Sequence, residues 1–354
     1  MDYKTLKRRV LWQYEKKLPF VIFSLPDSEV IKGYFQNSDK LHIGAGFNTN
    51  GFILSPFDDS LKNILIPQKG SDNYQAAIRI SEIERKQVVV AASENERVFY
   101  EQLVQKTIET IQNGPAQKIV VSRKKDFTLN DFSIESLVER LFSAYPSAYR
   151  YVWYHRKTGI WCGATPETLV DIKKNNFKTM ALAGTQPYTD GQIVWRQKEL
   201  EEQYFVTEAI LKNLKGIVEE VQISETQSHR AGNLLHLRTN ISGKLPQMQG
   251  ALLKIANALH PTPAVCGTPR EVAKEFILKN EGYPREYYTG FVGSIDDDGT
   301  SATLMVNLRC MKIENGKASI YVGGGITTDS DPKEEWEETQ NKMQTMLQVL
   351  HPML

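Results

Sequence analysis

The chain has 354 residues, of which 41% are hydrophobic and 24% are charged, and its formal net charge is +1. These values are ordinary for a globular protein with a sizeable core, and the near-neutral charge argues against a protein built around nucleic-acid phosphates. No apolar run approaches the roughly 20 residues that cross a bilayer, and the three cysteines are widely spaced, which suits a reducing compartment. We therefore expect a soluble, cytoplasmic protein.

Hydrophobic periodicity and turn signals predict the elements in chain order. Residues 1–90 read as short strands and turns, with a β-prone segment at 20–25. Beyond them we expect helices at 94–113, 134–142, 197–214, 252–259, 270–280 and 332–350. Strands are expected at 118–122, 149–154, 160–164, 169–172, 178–182, 290–295, 302–311 and 318–323. Asp331 is placed to cap the last helix, with Pro332 at its first position.

The predicted strands occur in meanders rather than in strict alternation with helices, which indicates an α+β fold with large antiparallel sheets. No internal repeat, low-complexity tract or Pro/Ser-rich linker interrupts the sequence. We therefore expect one continuous domain over 1–354, in which 94–350 carries the recognisable motifs.

The last predicted helix begins with several glutamates, of which Glu335 and Glu338 share a face, and Lys342 lies one turn beyond them. The helix dipole favours carboxylates at this end, so the pattern has a purely structural interpretation. It also suits Mg²⁺, which takes one or two protein carboxylates and completes its shell with water and substrate. The glycines at 323–325 lack the third glycine of a dinucleotide-binding fingerprint, and they indicate either a turn or a close approach of backbone to a ligand.

Two cations have positions that invite a functional interpretation. Lys118 begins a strand and shares a face with Val120 and Ser122. Facing a sheet interior it would be desolvated, which favours the neutral amine of a general base, whereas at a sheet edge it would deter aggregation. Arg309 lies among apolar residues of a predicted strand, where a charge is costly unless paired. It is therefore expected to meet a carboxylate of the protein or of a ligand.

The remaining glutamates are ambiguous by themselves. Glu199, Glu201 and Glu202 fit a solvated helix face, and adjacent helical residues point about 100° apart, so at most one of Glu201 and Glu202 faces a given site. Glu167 lies in a loop between two predicted strands, where a glutamate is usually just solvated.

Nine separated segments, in this order, resemble the chorismate-utilising enzymes, a family that includes isochorismate synthases, salicylate synthases and the large subunits of anthranilate and aminodeoxychorismate synthases. They are 118–123 (KIVVSR), 163–169 (GATPETL), 181–185 (ALAGT), 236–243 (HLRTNISG), 259–267 (LHPTPAVCG), 288–293 (YTGFVG), 307–310 (NLRC), 323–326 (GGGI) and 331–339 (DPKEEWEET). The resemblance covers about 118–350 and is only general in the N-terminal third. It implies a single α+β domain of two large packed antiparallel sheets surrounded by helices, with Mg²⁺ as cofactor and chorismate as substrate.

The resemblance also implies roles for individual residues. Lys118 corresponds to the general base that activates water for attack at ring carbon 2, and Glu167 to the acid that protonates the departing carbon-4 hydroxyl. Glu202 and Glu335 correspond to Mg²⁺ ligands, with Glu338 beside them acting through water, and the metal holds the ring carboxylate. Substrate contacts are implied for Gly184, Thr185, His236, Arg309, Gly323, Gly325 and Lys342. Gln203 stands where several relatives have histidine, so Glu201 stays an alternative to Glu202.

Within the family, Lys118 and Ala183 favour water chemistry. Ammonia-using relatives lack a lysine at position 118, and aminodeoxychorismate synthases carry a nucleophilic lysine where this chain has Ala183. We therefore predict a Mg²⁺-dependent isomerase (hydroxymutase) that converts chorismate to isochorismate, as a monomer without a glutaminase subunit.

Three alternatives stay open. A salicylate synthase makes isochorismate and then eliminates pyruvate in the same pocket, so its motifs differ little from those of an isochorismate synthase. An ammonia-using synthase is disfavoured by Lys118, and a catalytically silent binding module is disfavoured by the intact acid, base and metal ligands. The product would feed menaquinone, siderophore or salicylate biosynthesis.

Overall fold

The computed structural model describes residues 2–83, 86, 88, 93–188, 193–231, 234–248 and 250–354, without the side chains of 185, 187, 198, 231 and 234. Within these ranges the helices are α1 (Tyr3–Glu15), α2 (Glu94–Gln112), α3 (Ile134–Ala144), α4 (Gln197–Leu214), α5 (Ala251–Leu259), α6 (Arg270–Asn280) and α7 (Pro332–Leu350). The six helices predicted from the sequence are all present, and those at 197–214, 270–280 and 332–350 have the expected bounds. Asp331 caps α7 by accepting hydrogen bonds from the backbone N–H groups of Lys333 and Glu334.

The first strands are β1 (Phe20–Ser24), β2 (Val30–Gln36), β3 (His42–Ile43), β4 (Gly51–Ser55), β5 (Ile64–Pro67), β6 (Ser71–Ala77), β7 (Lys118–Thr128), β8 (Tyr149–His155), β9 (Gly159–Thr165) and β10 (Thr168–Lys173). They are followed by β11 (Asn176–Pro187), β12 (Glu220–Ile223), β13 (Gln227–Ala231), β14 (Leu234–Lys244), β15 (Gly267–Thr268), β16 (Phe291–Asp296), β17 (Ser301–Val306), β18 (Cys310–Glu314) and β19 (Lys317–Ile326).

Two antiparallel sheets contain these strands, which confirms the predicted α+β fold. One sheet has nine strands in the order β15-β7-β19-β18-β9-β8-β1-β2-β6. The other has ten in the order β12-β14-β11-β10-β17-β16-β4-β5-β3, with β13 paired to β14 beside that path. An aromatic-rich core that includes Phe52, Tyr151, Trp153 and Trp161 lies between the two sheets. Helices α1, α3 and α7 cover the outer face of the nine-stranded sheet, and α4 and α5 cover the other.

The N-terminal region contains a helix that the sequence reading missed. Residues 1–90 were expected to form only strands and turns, but α1 occupies Tyr3–Glu15, and Asp2 accepts a capping hydrogen bond from the N–H of Thr5 at 2.7 Å. Leu6 and Val10 are fully buried against α3 and the nine-stranded sheet. The buried apolar residues of α1 are few and lie among many charged residues. Tertiary packing, rather than a strong local pattern, therefore defines this helix.

The predicted strand at 302–311 is wrong as a single element, because the chain changes sheets within it. Strand β17 ends at Val306 in the ten-stranded sheet, and β18 begins at Cys310 in the nine-stranded sheet. Asn307 is fully buried at the crossing, where its amide donates to the carbonyl of Tyr287 at 2.8 Å and accepts from the hydroxyl of Tyr151 at 2.7 Å. Arg309 adopts a φ of 47°, an uncommon conformation that turns the chain out of the strand.

Candidate active site

Lys118 begins β7, and its side chain extends toward helix α4. The ammonium donates a hydrogen bond to Oε1 of Glu202 at 3.0 Å. The short strand β15 covers the outer side of β7, with Thr268 opposite Lys118. Because another strand is paired beyond it, Lys118 is not an edge residue that deters aggregation. It lies in a partly enclosed position beside a carboxylate, with 17% of its side chain exposed.

Helix α4 turns Glu202, rather than Glu201, toward the site. Glu201 is exposed and accepts a hydrogen bond from Gln197, one turn earlier on the same helix, at 3.0 Å. Gln203 is buried, and its amide donates to the carbonyl of Ala181 at 3.1 Å and to the hydroxyl of Thr239 at 2.9 Å. These hydrogen bonds of Gln203 join α4 to β11 and β14. They fix the rotation of the helix about its axis and therefore the direction in which Glu202, the preceding residue, points.

Glu167 lies between β9 and β10 in a partly buried position. Its backbone carbonyl accepts from the N–H of Val306 at 2.9 Å, and its carboxylate Oε1 accepts from the hydroxyl of Thr262 at 3.3 Å. Burial raises the pKa of Glu167 to about 7, although the Thr262 hydrogen bond and the charge of Lys118 partly oppose this. A carboxyl group with such a pKa carries a proton for much of the time near neutral pH, as a general acid requires.

Glu335 projects from the first turn of α7 toward strand β19. Its Oε1 accepts from the hydroxyl of Ser330 at 3.0 Å, whereas Oε2 is buried and has no hydrogen-bond partner in the described part of the chain. Burial and, next, the charge of Glu338 raise the pKa of Glu335 to about 7. Glu338 forms an ion pair with Lys342, whose ammonium also donates to the carbonyl of Gly323 at 2.8 Å.

The three glycines lie within strand β19, so neither a turn nor a loop forms there. They pair with Val120, Val121 and Ser122 of β7. A Cβ atom on Gly325 would lie 2.6 Å from Cε of Lys118, and one on Gly324 would overlap Oε2 of Glu335. Gly324 and Gly325 are therefore required by the close approach of the Glu335 and Lys118 side chains to the strand.

Gly184 forms a bulge in the ladder between β11 and β14. Ala183 pairs with Leu237 and Thr185 pairs with His236, so Gly184 is the extra residue, and its φ of 64° suits glycine. The imidazole Nδ1 of His236 is 3.3 Å from the carbonyl oxygen of Gly184. The bulge therefore orients a backbone carbonyl and a histidine together. The side chain of Thr185 lies outside the described residues.

Arg309 carries a charge without a carboxylate partner among the described residues. Its Nη1 donates to the hydroxyl of Thr345 at 3.2 Å and, more weakly, to the carbonyl of Lys342 at 3.4 Å. Burial lowers the pKa of Arg309, and the nearby hydroxyl of Tyr288 and carboxylate of Glu338 oppose that shift. A partly buried guanidinium of this kind is suited to receive a ligand carboxylate.

The predicted base Lys118 contacts one predicted metal ligand, Glu202, at 3.0 Å, and its charge also acts on Glu167 and Glu335. Burial is the main cause of the raised pKa values of Glu167 and Glu335, and the charge of Lys118 opposes both shifts. Burial lowers the pKa of His236, and the charge of Glu202 opposes this shift.

The fit of the carboxylates to a divalent cation rests on Glu335. No group of three or more His, Cys, Asp or Glu side chains in the described part of the chain is arranged to hold a metal ion as it stands. However, Oε2 of Glu335 is buried next to the negative charge of Glu338 and has no hydrogen-bond partner among the described residues, so it is available as an oxygen ligand. Mg²⁺ prefers oxygen ligands and needs only one or two protein carboxylates, so these residues fit the ion.

Two hydroxyls beside the functional carboxylates were missed in the sequence. Thr262 donates to Glu167, and Ser330 donates to Glu335. Thr262 lies within the 259–267 segment, which resembles the family, but the resemblance assigned no role to this residue. Ser330 immediately precedes Asp331, the residue that caps α7, and nothing in its local pattern distinguishes it from an ordinary turn residue.

A buried ion pair that the sequence did not reveal supports strand β7. Glu281 and Arg285 are each 1% exposed in their side chains, and Nε of Arg285 is 2.8 Å from Oε2 of Glu281. Arg285 donates to the carbonyl of Val120 at 2.7 Å, and Glu281 accepts from the N–H of Ser122 at 2.7 Å. The pair thus holds the backbone of β7 immediately after Lys118.

Comparison with known proteins identifies the family. The model of the chorismate binding enzymes matches residues 56–351. The isochorismate synthase EntC of Escherichia coli K12 is 31% identical over 286 residues, which cover 77% of this chain and 72% of EntC. The isochorismate synthase DhbC of Bacillus subtilis is 30% identical over 268 residues, 71% of this chain and 67% of DhbC.

The same fold occurs in the solved structure of MenF, the menaquinone-specific isochorismate synthase from Escherichia coli. Its TM-score is 0.78 at 20% identity, and the alignment covers 94% of this chain and 88% of MenF. The chain belongs to the chorismate-binding enzymes, which confirms the resemblance seen in its motifs and the prediction that it is an enzyme. The relatives compared here are isochorismate synthases, and such enzymes are isomerases.

Proposed function

We propose that this chain is an isochorismate synthase, which converts chorismate to isochorismate by adding water at ring carbon 2 and releasing the carbon-4 hydroxyl as water. Two relatives at 30% and 31% identity carry that name. Hydroxide is a poor leaving group and water is a poor nucleophile, so the reaction needs both an acid and a base.

The observation that supports the proposal is the partly buried position of both Lys118 and Glu167, with the charge of Lys118 acting on the Glu167 carboxyl group. Lys118 would accept a proton from the attacking water, and Glu167 would donate one to the departing hydroxyl. The raised pKa of Glu167, about 7, keeps an acidic proton available near neutral pH. Lys118 also forms an ion pair with Glu202, with 3.0 Å between the ammonium and Oε1.

The positive groups around the pair suit the two carboxylates of chorismate. Arg309 is partly buried and forms no ion pair with the described residues, and Lys342 places its ammonium against the carbonyl of Gly323. We propose that these two cations receive substrate carboxylates. His236 and the carbonyl of Gly184 would contact the ring hydroxyls, with the backbone at Gly323 and Gly325 forming the adjoining wall.

Glu202, Glu335 and Glu338 are the residues that would hold Mg²⁺. A bound Mg²⁺ would supply charge that neutralises the ring carboxylate of the substrate.

Salicylate synthase is the main alternative, since it would use the same lysine, glutamates and metal. An ammonia-using synthase would not require Lys118. Action as a monomer without a glutaminase subunit, and supply of isochorismate for menaquinone, siderophore or salicylate synthesis, stay predictions. Within the described residues, no helix combines the length and apolar character needed to cross a membrane.

Product analysis tests the proposal. Purified protein is incubated with chorismate and Mg²⁺, with ammonia omitted, and the products are separated by chromatography. Isochorismate in equilibrium with chorismate, without pyruvate, is the expected result. Salicylate with an equal amount of pyruvate would identify a salicylate synthase, and turnover only after ammonia is added would contradict the assignment of Lys118.

A further inference from the structure

Two buried oxygen atoms without partners face the same point beside the active site. The hydroxyl of Tyr100, on α2, and Oε2 of Glu335, on α7, are both buried and make no hydrogen bond with any described residue. A Cβ atom built on Gly324 would lie 3.7 Å from the Tyr100 hydroxyl and would overlap Oε2 of Glu335. The two unpartnered atoms therefore lie on the same side of strand β19, around the space that Gly324 leaves.

An unpartnered polar atom in a protein interior is costly, and each such atom in a native structure calls for an explanation. Tyr100 is fully buried, with its ring 6.1 Å from that of Trp336, the residue after Glu335. Helices α2 and α7 thus hold the hydroxyl in a fixed place. A tyrosine hydroxyl is a donor and a carboxylate is an acceptor, so the two groups are complementary. One bridging water between them would be in a polar setting, as buried waters are.

We propose that Tyr100 is a positioning residue for Glu335. Its hydroxyl donates a hydrogen bond to Oε2 through one bridging water and thereby fixes the carboxylate in the orientation in which it would bind Mg²⁺. Groups that hydrogen-bond to a metal ligand orient it and strengthen its binding. This inference rests on the proposed role of Glu335 and adds a residue that lies outside the nine matching segments.

The test is a titration of the protein with Mg²⁺ in the absence of chorismate, in which isothermal calorimetry measures the heat of binding. Tyr100→Phe removes only the hydroxyl, and the dissociation constant for Mg²⁺ is expected to rise by about 10-fold or more. Tyr149→Phe is the matched control, because Tyr149 is also fully buried with an unpartnered hydroxyl but lies in the core between the sheets. The control is expected to bind Mg²⁺ as the unchanged protein does.

The outcomes separate this inference from the proposed function. A Tyr100→Phe dissociation constant within about twofold of the control, or an equal weakening in both variants, would overturn the role of Tyr100 while leaving the magnesium site and the isochorismate synthase activity intact. No saturable Mg²⁺ binding by the unchanged protein would overturn the metal site and this inference together. The melting temperature of each variant shows that the comparison is made between folded proteins.

Discussion

Lys118 and Glu202 form an ion pair, with 3.0 Å between the ammonium and Oε1, that joins strand β7 to helix α4. Each partner has a second task in the proposed reaction, as base and as metal ligand. The ion pair therefore brings the proposed base and one proposed metal ligand into direct contact.

Replacing Lys118 by alanine is expected to lower kcat by about 10²–10⁴-fold, because the attacking water loses its general base. Chorismate binding should be nearly unchanged, since substrate contacts are assigned to other residues. Steady-state kinetics and equilibrium binding of chorismate check the two effects separately. Lys124→Ala, an exposed lysine on the same strand, is the control. A folded Lys118→Ala variant that fails to bind chorismate would contradict the assignment of Lys118 as base.

Glu167→Gln should lower turnover by a similar factor and should also stabilise the protein at higher pH. Burial raises the pKa of Glu167 from 4.5 to about 7, so the native state holds more protons than the unfolded state between these values. Its contribution to the free energy of unfolding is therefore lost as pH rises from about 4.5 to 7. Because the group is partly solvated, we expect a gain of about 1–2 kcal/mol for Glu167→Gln at pH 8.

Denaturant unfolding at pH 4 and pH 8 measures this effect, and little difference is expected at pH 4. Glu208→Gln makes the same charge change at an exposed position on α4 and should be neutral at both pH values. A Glu167→Gln variant that is equally stable or less stable than the unchanged protein at pH 8 would argue against a buried acid.

Alanine substitutions at the three glycines of β19 should have distinct effects. A Cβ atom on Gly325 meets only Lys118, and one on Gly324 meets side-chain atoms of Glu335 and Tyr100. Gly325→Ala should therefore lower kcat without weakening Mg²⁺ binding, whereas Gly324→Ala should weaken Mg²⁺ binding. On Gly323 the new atom lies 2.5 Å from the backbone oxygen of Val121, so Gly323→Ala should destabilise the fold by about 1–3 kcal/mol.

Kinetics, Mg²⁺ titration and thermal unfolding of the three variants provide the comparison. Equal losses of stability in all three would mean that these glycines serve strand packing alone.

The buried pair Glu281–Arg285 is expected to be important for stability. Glu281→Ala leaves the Arg285 guanidinium, 1% exposed, without its counter-charge, and removal of one partner from a buried pair costs about 3–5 kcal/mol. Glu101→Ala breaks a pair of the same spacing, Arg97–Glu101 on α2, in which Arg97 is 40% exposed, and should cost under about 1 kcal/mol. Equal free energies of unfolding for the two variants would contradict the proposed support of β7.

Much of the fold could be predicted because its helices carry strong local signals. The bounds of α4 and α6 follow from their apolar periodicity, and Asp331 with Pro332 marks the start of α7. The change of sheet at Asn307 could not be predicted, since 302–311 is largely apolar and the crossing depends on hydrogen bonds with distant Tyr151 and Tyr287. Such contacts between residues far apart in sequence leave no local pattern.

In the candidate site, the sequence indicated which residues to examine but not how they pair. The resemblance pointed to Lys118 and Glu202 separately, and their ion pair appears only when β7 and α4 are packed together. The choice between Glu201 and Glu202 depends on how Gln203 fastens α4 to the sheet. The three glycines were ambiguous in sequence, and the side chains that approach them give the reason for their presence.

The central claim, that the site activates water rather than ammonia or an internal hydroxyl, is tested most directly by carrying out the reaction in H₂¹⁸O. The account predicts one ¹⁸O atom in the isochorismate formed at early times, at the carbon-2 hydroxyl, and no such product from Lys118→Ala. Isochorismate that forms without ¹⁸O would contradict attack by solvent water.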